Sequence, residues 1–152
     1  MNYKLDNLTN NPLRPYSRFE IDKVFNQIKA AMHQEAVKRG NGNALYKDCY
    51  TSKILNGGDT YDYEHIYGSE WVFTTYKHLL TDGQIAQVVN CPDNVGVTLR
   101  KINQSKGKIN PEIWLAQSIH IQNNQIDLVW AMDNVQKAKS GIDQLVKKFT
   151  FL

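Results

Sequence analysis

Residues 62–66 read DYEHI, and residues 93–108 read DNVGVTLRKINQSKGK. The first stretch belongs to the run TYDYEHIY, in which aromatic residues alternate with polar ones, and this alternation predicts a β-strand. In the second stretch, NVGVTLR is short and rich in β-branched residues, which predicts another strand. RKINQSKG then predicts a short helix that ends at Gly107. The chain is therefore expected to contain a strand, an insertion, a second strand and a helix between residues 60 and 108.

A helical N-terminal part is predicted over residues 17–40. Ser17 and Glu20 have the spacing of a capping box, and basic residues followed by Gly40 are typical of a helix end. The apolar residues of this segment fall roughly on one side, so the helix is expected to cover a core. Residues 41–59 are rich in turn-forming residues and are expected to be irregular.

Further helices are predicted inside the insertion and at the C-terminus. Residues 69–80 and 84–90 have helical apolar spacing, and so has the C-terminal part, residues 111–150. Ser140 and Gly141 leave open an interruption of the last helix. The expected class is therefore α+β and mostly helical, with two short antiparallel strands and a helix surrounded by N-terminal, inserted and C-terminal helices.

Length and composition indicate an ordinary globular protein with one domain, residues 1–152. Hydrophobic residues make up 41% and charged residues 22%, and no apolar run is long enough to cross a membrane. The first twenty residues are polar and contain no secretory signal, so a cytoplasmic site of action is expected. Cys49 and Cys91 belong to no CxxC pair, which argues against a zinc site built on cysteine.

The net charge of +3 is too small to indicate a nucleic-acid-binding protein by itself. Its distribution is more informative, because residues 94–110 contain four basic residues and no acidic one. Such a segment attracts phosphate groups. A basic loop that only contacts solvent is the alternative interpretation.

The order of polar residues across residues 62–108 adds a more specific indication. Glu64 and His65 lie on the first strand, Asn94 precedes the second strand, and Asn103 lies nine positions later on the helix. This pattern resembles the HNH, or ββα-metal, nuclease motif, in which two strands and a helix surround one divalent cation. The step from Asn94 to Asn103, followed closely by a Lys-Gly pair, is similar to the step in the HNH domains of RNA-guided DNA nucleases.

The resemblance implies a role for each of these positions. His65 would be the general base, Glu64 and Asn103 would be the metal ligands, and Asn94 would brace the loop that carries His65 and help to orient its imidazole. Asp62 matches an acidic position before the histidine and is a further candidate without a defined role. Three basic residues would neutralise backbone phosphates: Arg100, Lys106 and Lys108.

The chemistry of phosphodiester hydrolysis requires residues of these types. An imidazole has a pKa near neutral pH and suits proton abstraction from water. Carboxylate and amide oxygens are the ligands that Mg²⁺ prefers, and a cation offsets the charge that develops on the phosphate. The family more often has Asp where this chain has Glu64, and the final Asn, where other members have His, favours Mg²⁺ or Mn²⁺ over softer metals.

The function expected from the resemblance is that of a divalent-metal-dependent HNH endonuclease. It would hydrolyse DNA, with RNA not excluded, and leave 5′-phosphate and 3′-hydroxyl ends. Restriction, phage DNA processing, mobile introns and toxicity to rival bacteria all remain open as its role. No membrane partner is expected, and a homodimer or, for a toxin domain, an inhibitor protein remains open. The alternatives are a non-catalytic nucleic-acid-binding module with a degenerate motif and a helical interaction protein.

Overall fold

The computed structural model describes residues 11–151, in which helices predominate and the strands form two small antiparallel sheets. The α+β, mostly helical class predicted from the sequence is confirmed. Residues 1–10, part of the polar segment in which no signal was predicted, and residue 152 lie outside the described residues. The helices are α1 (Phe19–Arg39), α2 (Ser69–Tyr76), α3 (Asp82–Val89), α4 (Arg100–Lys106), α5 (Pro111–Leu115), α6 (Ser118–Asn124) and α7 (Leu128–Thr150). The strands are β1 (Leu45–Lys47), β2 (Ile54–Asn56), β3 (Tyr61–His65) and β4 (Val95–Leu99).

Strands β3 and β4 pair with each other although the insertion, residues 66–94, separates them in the sequence. They are antiparallel, with Glu64 opposite Gly96 and His65 opposite Val95. Helix α4 begins at the residue after β4, so the two strands and the helix form one contiguous unit. The order of elements predicted for residues 60–108 is therefore present.

The N-terminal helix was predicted correctly, but its cap was not. The Ser17 hydroxyl accepts a hydrogen bond from the Phe19 backbone N–H at 3.2 Å, and the helix begins at Phe19 with no side chain capping it. At the other end, the Gly40 N–H donates to the carbonyl oxygen of Ala36, as expected for a helix that stops at glycine. Ser17 and Glu20 have the spacing of a capping box, but the N-cap residue is Arg18 and no side chain forms the capping hydrogen bond.

The segment expected to be irregular contains the β1–β2 hairpin, which the sequence did not predict. Its connecting turn is organised by Asp48, whose side chain is fully buried. The carboxylate accepts hydrogen bonds from the backbone N–H groups of Tyr50 and Thr51 and from the Thr98 hydroxyl, which fastens the turn to β4. Because this support comes from a distant strand, local sequence gave no sign of it.

The C-terminal helices differ from the prediction in two places. The beginning of the predicted C-terminal part, residues 111–124, divides into two helices, α5 and α6. Helix α7 continues through Ser140 and Gly141 without a break. A Cβ atom on Gly141 would lie 3.1 Å from the Cβ of Asp93, in the short 3₁₀ helix Pro92–Asn94 that precedes β4. Glycine is thus present for close packing, not to interrupt the helix.

The main hydrophobic core lies between the helices and one side of the β3–β4 unit. It includes Trp114, Val72, Leu80 and Ile102, all fully buried. Within residues 11–151, no helix has the length and apolar character needed to cross a membrane.

Candidate functional site

A cleft of about 280 Å³ opens beside the end of β3. Its lining brings together residues from β3, α4, the start of α2 and the segment before α1. The residues predicted for the site that border it are Glu64, His65, Asn103 and Lys108. Arg18 and Ser69, which were not predicted, border it as well. The strand pairing and the helix that follows it therefore place both strand residues and Asn103 around one opening.

His65 is held between α1 and the end of α3. Its ring packs against Phe25, with 4.2 Å between the ring centroids, and its Nε2 lies 2.8 Å from Oδ1 of Asn90. Burial lowers the pKa of the imidazole to about 4, although the hydrogen bond to Asn90 opposes the shift and Arg18 adds to it. The ring is therefore neutral at neutral pH, which is the protonation state that a general base requires.

Glu64 lies on the inner face of β3 and is only 4% exposed. One carboxylate oxygen accepts a hydrogen bond from the Tyr50 hydroxyl, and the other, Oε2, lies 3.7 Å from the ammonium nitrogen of Lys106. Burial raises the pKa of the carboxyl group, while the charge of Lys106 and the hydrogen bond from Tyr50 lower it. Among residues 11–151, no donor forms a hydrogen bond to Oε2.

Asn103 lies on α4 and is oriented by Asp62. Its Nδ2 donates to Asp62 Oδ2 at 3.1 Å, and the Arg100 Nε donates to the other oxygen of the same carboxylate at 2.9 Å. Since the amide nitrogen is used in this contact, the amide oxygen of Asn103 remains available for a ligand. Asp62 therefore acts on the candidate site through Asn103 and not as a lining residue.

Asn94 is fully buried where the 3₁₀ helix meets β4. Its Oδ1 accepts from the Tyr67 N–H at 2.8 Å, and its Nδ2 donates to the carbonyl oxygens of Tyr67 at 3.0 Å and Val89 at 2.9 Å. The side chain thus ties the loop after His65 to the end of α3. Its hydrogen bonds reach the loop and not the imidazole, so any influence of Asn94 on the ring is indirect; the side chain that contacts the ring is Asn90.

The three basic residues predicted to contact phosphates have different environments. Lys106 is 1% exposed and paired with Glu64, so the prediction that it neutralises backbone phosphates is corrected: it balances a buried carboxylate. Arg100 is half exposed and bound to Asp62, and Lys108 is 90% exposed and lies 3.2 Å from Glu70. These two remain available at the surface beside the site.

Carboxylate and amide oxygens are the ligand types that a hard divalent cation prefers, and Glu64 and Asn103 supply one of each at the cleft. Glu64 Oε2 accepts no hydrogen bond from residues 11–151, but the Lys106 ammonium nitrogen lies 3.7 Å from it, so an ion would share this oxygen with Lys106. The Asn103 amide oxygen forms no hydrogen bond within the same residues. The described part of the chain contains no group of three His, Cys, Asp or Glu side chains placed to hold a metal. An ion here would therefore rely on two protein oxygens and water, as Mg²⁺ commonly does.

Besides Ser69, sequence reasoning missed three residues that line the cleft or contact its side chains. Asn90 follows α3, Tyr50 lies in the segment expected to be irregular, and Arg18 precedes α1. Arg18 donates to Ser69 Oγ at 2.8 Å across the cleft wall. Nothing in the local sequence marks these positions, because each reaches the site through long-range packing.

No protein-family model, curated protein or solved structure matches this chain. The inference of function therefore depends on the geometry of the site and on the resemblance of its residue pattern to the HNH motif.

Proposed function

We propose that the protein is a divalent-metal-dependent endonuclease with an HNH-type ββα site that hydrolyses DNA phosphodiester bonds. The observation that carries the proposal is the convergence of Glu64, His65 and Asn103 on one cleft. They reach it through an antiparallel strand pair followed directly by a helix, which is the order of elements in that motif. Asn94, at the motif's middle position, braces the loop after His65.

In the proposed reaction, His65 takes a proton from a water molecule as the water oxygen forms a bond to phosphorus. The bond from phosphorus to the 3′-oxygen breaks, and that oxygen takes a proton from solvent. The approach of a phosphodiester anion favours the protonated imidazole, since an opposite charge nearby stabilises the charged form. Burial weakens His65 as a base and the bound phosphodiester anion strengthens it, so proton abstraction depends on bound substrate.

Glu64 and Asn103 would hold the cation, which supplies positive charge to offset the negative charge that develops on the phosphate. Asp62 keeps the Asn103 amide in its orientation, and Tyr50 holds one oxygen of Glu64. Lys108 and Arg100, whose side chains are exposed beside Glu70 and Asp62, would contact the phosphates next to the bond that is cut.

The direct test is digestion of plasmid DNA by purified protein with Mg²⁺ or Mn²⁺. We expect nicking or degradation that stops on chelation, and a loss of roughly 10²–10⁴-fold in rate for His65→Ala. His78→Ala is the matched control, since His78 is exposed and lies outside the cleft. Circular dichroism should show that both variants are folded.

Intact plasmid in both metals would refute the nuclease proposal. If the protein then binds DNA in a manner that weakens with salt and ignores chelator, it is a nucleic-acid-binding module instead. Absence of binding at low salt would indicate a protein-interaction role.

A further inference from the structure

Asn90 contacts His65 although it lies outside the motif that suggested the site. It follows α3, is 3% exposed, and has its Oδ1 2.8 Å from Nε2 of the imidazole. Its Nδ2 donates to the carbonyl oxygen of Ile21 at 3.1 Å and to that of Ala86 at 2.9 Å. All three hydrogen-bonding partners of this side chain are therefore defined.

These partners determine which way the amide faces. Both hydrogens of Nδ2 are used by carbonyl oxygens, and rotating the amide by half a turn would place its oxygen against two groups that have no hydrogen to donate. The amide oxygen therefore faces His65. Since an amide oxygen only accepts, a hydrogen bond forms with the neutral imidazole only when Nε2 carries the hydrogen.

We propose that Asn90 is a positioning residue that fixes neutral His65 in the tautomer with its hydrogen on Nε2, which leaves the lone pair of Nδ1 facing the cleft. No residue between 11 and 151 donates a hydrogen bond to Nδ1. In the same residues, the buried polar side-chain atoms without a partner are Glu64 Oε2 and the Tyr67 hydroxyl oxygen. Nδ1 is not among them, so it is accessible to solvent, and His65 borders the cleft.

The arrangement also limits how the ring can turn. Phe25 covers one face of the imidazole, and the hydrogen bond to Asn90 fixes the position of Nε2. Nδ1 is therefore the nitrogen that accepts the water proton, and this last step rests on the proposed endonuclease function. The tautomer itself does not depend on that function.

The tautomer is read directly by nitrogen NMR of the full-length ¹⁵N-labelled protein at mildly alkaline pH, without DNA or metal. Nε2 couples to both carbon-bound ring protons, whereas Nδ1 couples strongly to only one, so each signal is assigned by its coupling pattern. We expect Nε2 of His65 at the frequency of a protonated nitrogen and Nδ1 at that of an unprotonated one. The reverse pattern in the wild-type protein would overturn the proposal even if no variant folds.

Two variants separate the role of Asn90 from general support of the fold. In Asn90→Ala the frequencies of the two ring nitrogens should move towards each other, because the tautomer populations then approach the mixture of a solvated histidine side chain, in which the Nε2–H form is favoured but not exclusive. Asn124→Ala also removes a buried amide, but on α6 and outside the lining of the cleft, and should leave the wild-type pattern of His65 intact. A folded Asn90→Ala protein with the wild-type pattern would refute the assignment to Asn90.

Cleavage assays distinguish this proposal from the proposed function. Asn90→Ala should lower the cleavage rate by roughly 10–100-fold, the usual effect of removing a partner that orients a reactive group, with DNA affinity unchanged. If the wild-type protein cuts no DNA but His65 shows the Nε2 tautomer, the endonuclease proposal fails and the positioning role stands. If it cuts DNA and shows the other tautomer, the positioning role fails.

Discussion

Acidification should destabilise this protein through His65. In the folded chain the ring packs on Phe25, and burial lowers its pKa to about 4 from an ordinary 6.5. The unfolded chain therefore binds a proton near pH 6.5, and the folded chain resists protonation until about pH 4. Because the unfolded state binds more protons in this window, stability falls as the pH falls through it and is regained as the pH rises.

The size of the effect follows from the width of the window. A pKa difference of one unit corresponds to about 1.4 kcal/mol, so the full shift of His65 amounts to about 3 kcal/mol. Most of this, about 2.5 kcal/mol, should be lost between about pH 7 and about pH 4.5. The carboxylates add their own pH dependence, so the contribution of His65 is measured as the difference between the wild type and a variant without this histidine.

The assay is urea unfolding at several pH values, followed by tryptophan fluorescence, to which the fully buried Trp114 contributes. His65→Gln should lose about 2.5 kcal/mol less stability than the wild type between about pH 7 and about pH 4.5. His78→Gln, which changes an exposed histidine, should follow the wild type. Identical pH dependence in the wild type and His65→Gln would refute the reasoning, since it would mean that the folded protein accommodates the charged ring.

Two further substitutions test the packing behind the site. Lys106→Met should reduce the free energy of unfolding by about 3–5 kcal/mol, because it leaves the buried Glu64 carboxylate without its cation, whereas the exposed Lys101→Met should change it by less than about 0.5 kcal/mol. A small effect at Lys106 in denaturant titrations would contradict the buried pair. Gly96→Ala should cost about 1–3 kcal/mol because its Cβ would lie 2.8 Å from Cys49 Sγ. Calorimetry of a Gly96→Ala and Cys49→Ala double variant should show recovery, and no recovery would argue against that clash.

The strand and helix pattern of residues 60–108 could be predicted because its signals are local. Alternation along TYDYEHIY predicted β3, and Gly107 marked the end of α4. The β1–β2 hairpin escaped prediction because its turn depends on the buried Asp48 and its contact with Thr98. The capping box at Ser17 failed for the opposite reason, since a local pattern was present but the chain enters the helix differently.

The candidate site was also predicted only in part from the sequence. The resemblance of the residue pattern to the HNH motif selected Glu64, His65 and Asn103, which border one cleft. It was not enough to tell an exposed lysine from a buried one, and Lys106 proved to be the partner of Glu64. Burial depends on which face of α4 meets the sheet, and the seven residues of that helix carry too little periodic signal to show it.

By itself, the sequence determined the class of the fold, the strand–strand–helix order and the chemical types of the residues near β3, because periodicity and spacing are properties of the chain. Only the tertiary structure decided which partners those residues have. The insertion folds into α2 and α3 and returns Asn90 to the imidazole of His65, and the 48–50 segment brings Tyr50 to Glu64. The physical reason is burial. Burial lowers the pKa of His65 and raises the pKa of Glu64, and the elements that bury these residues are distant from them in the chain.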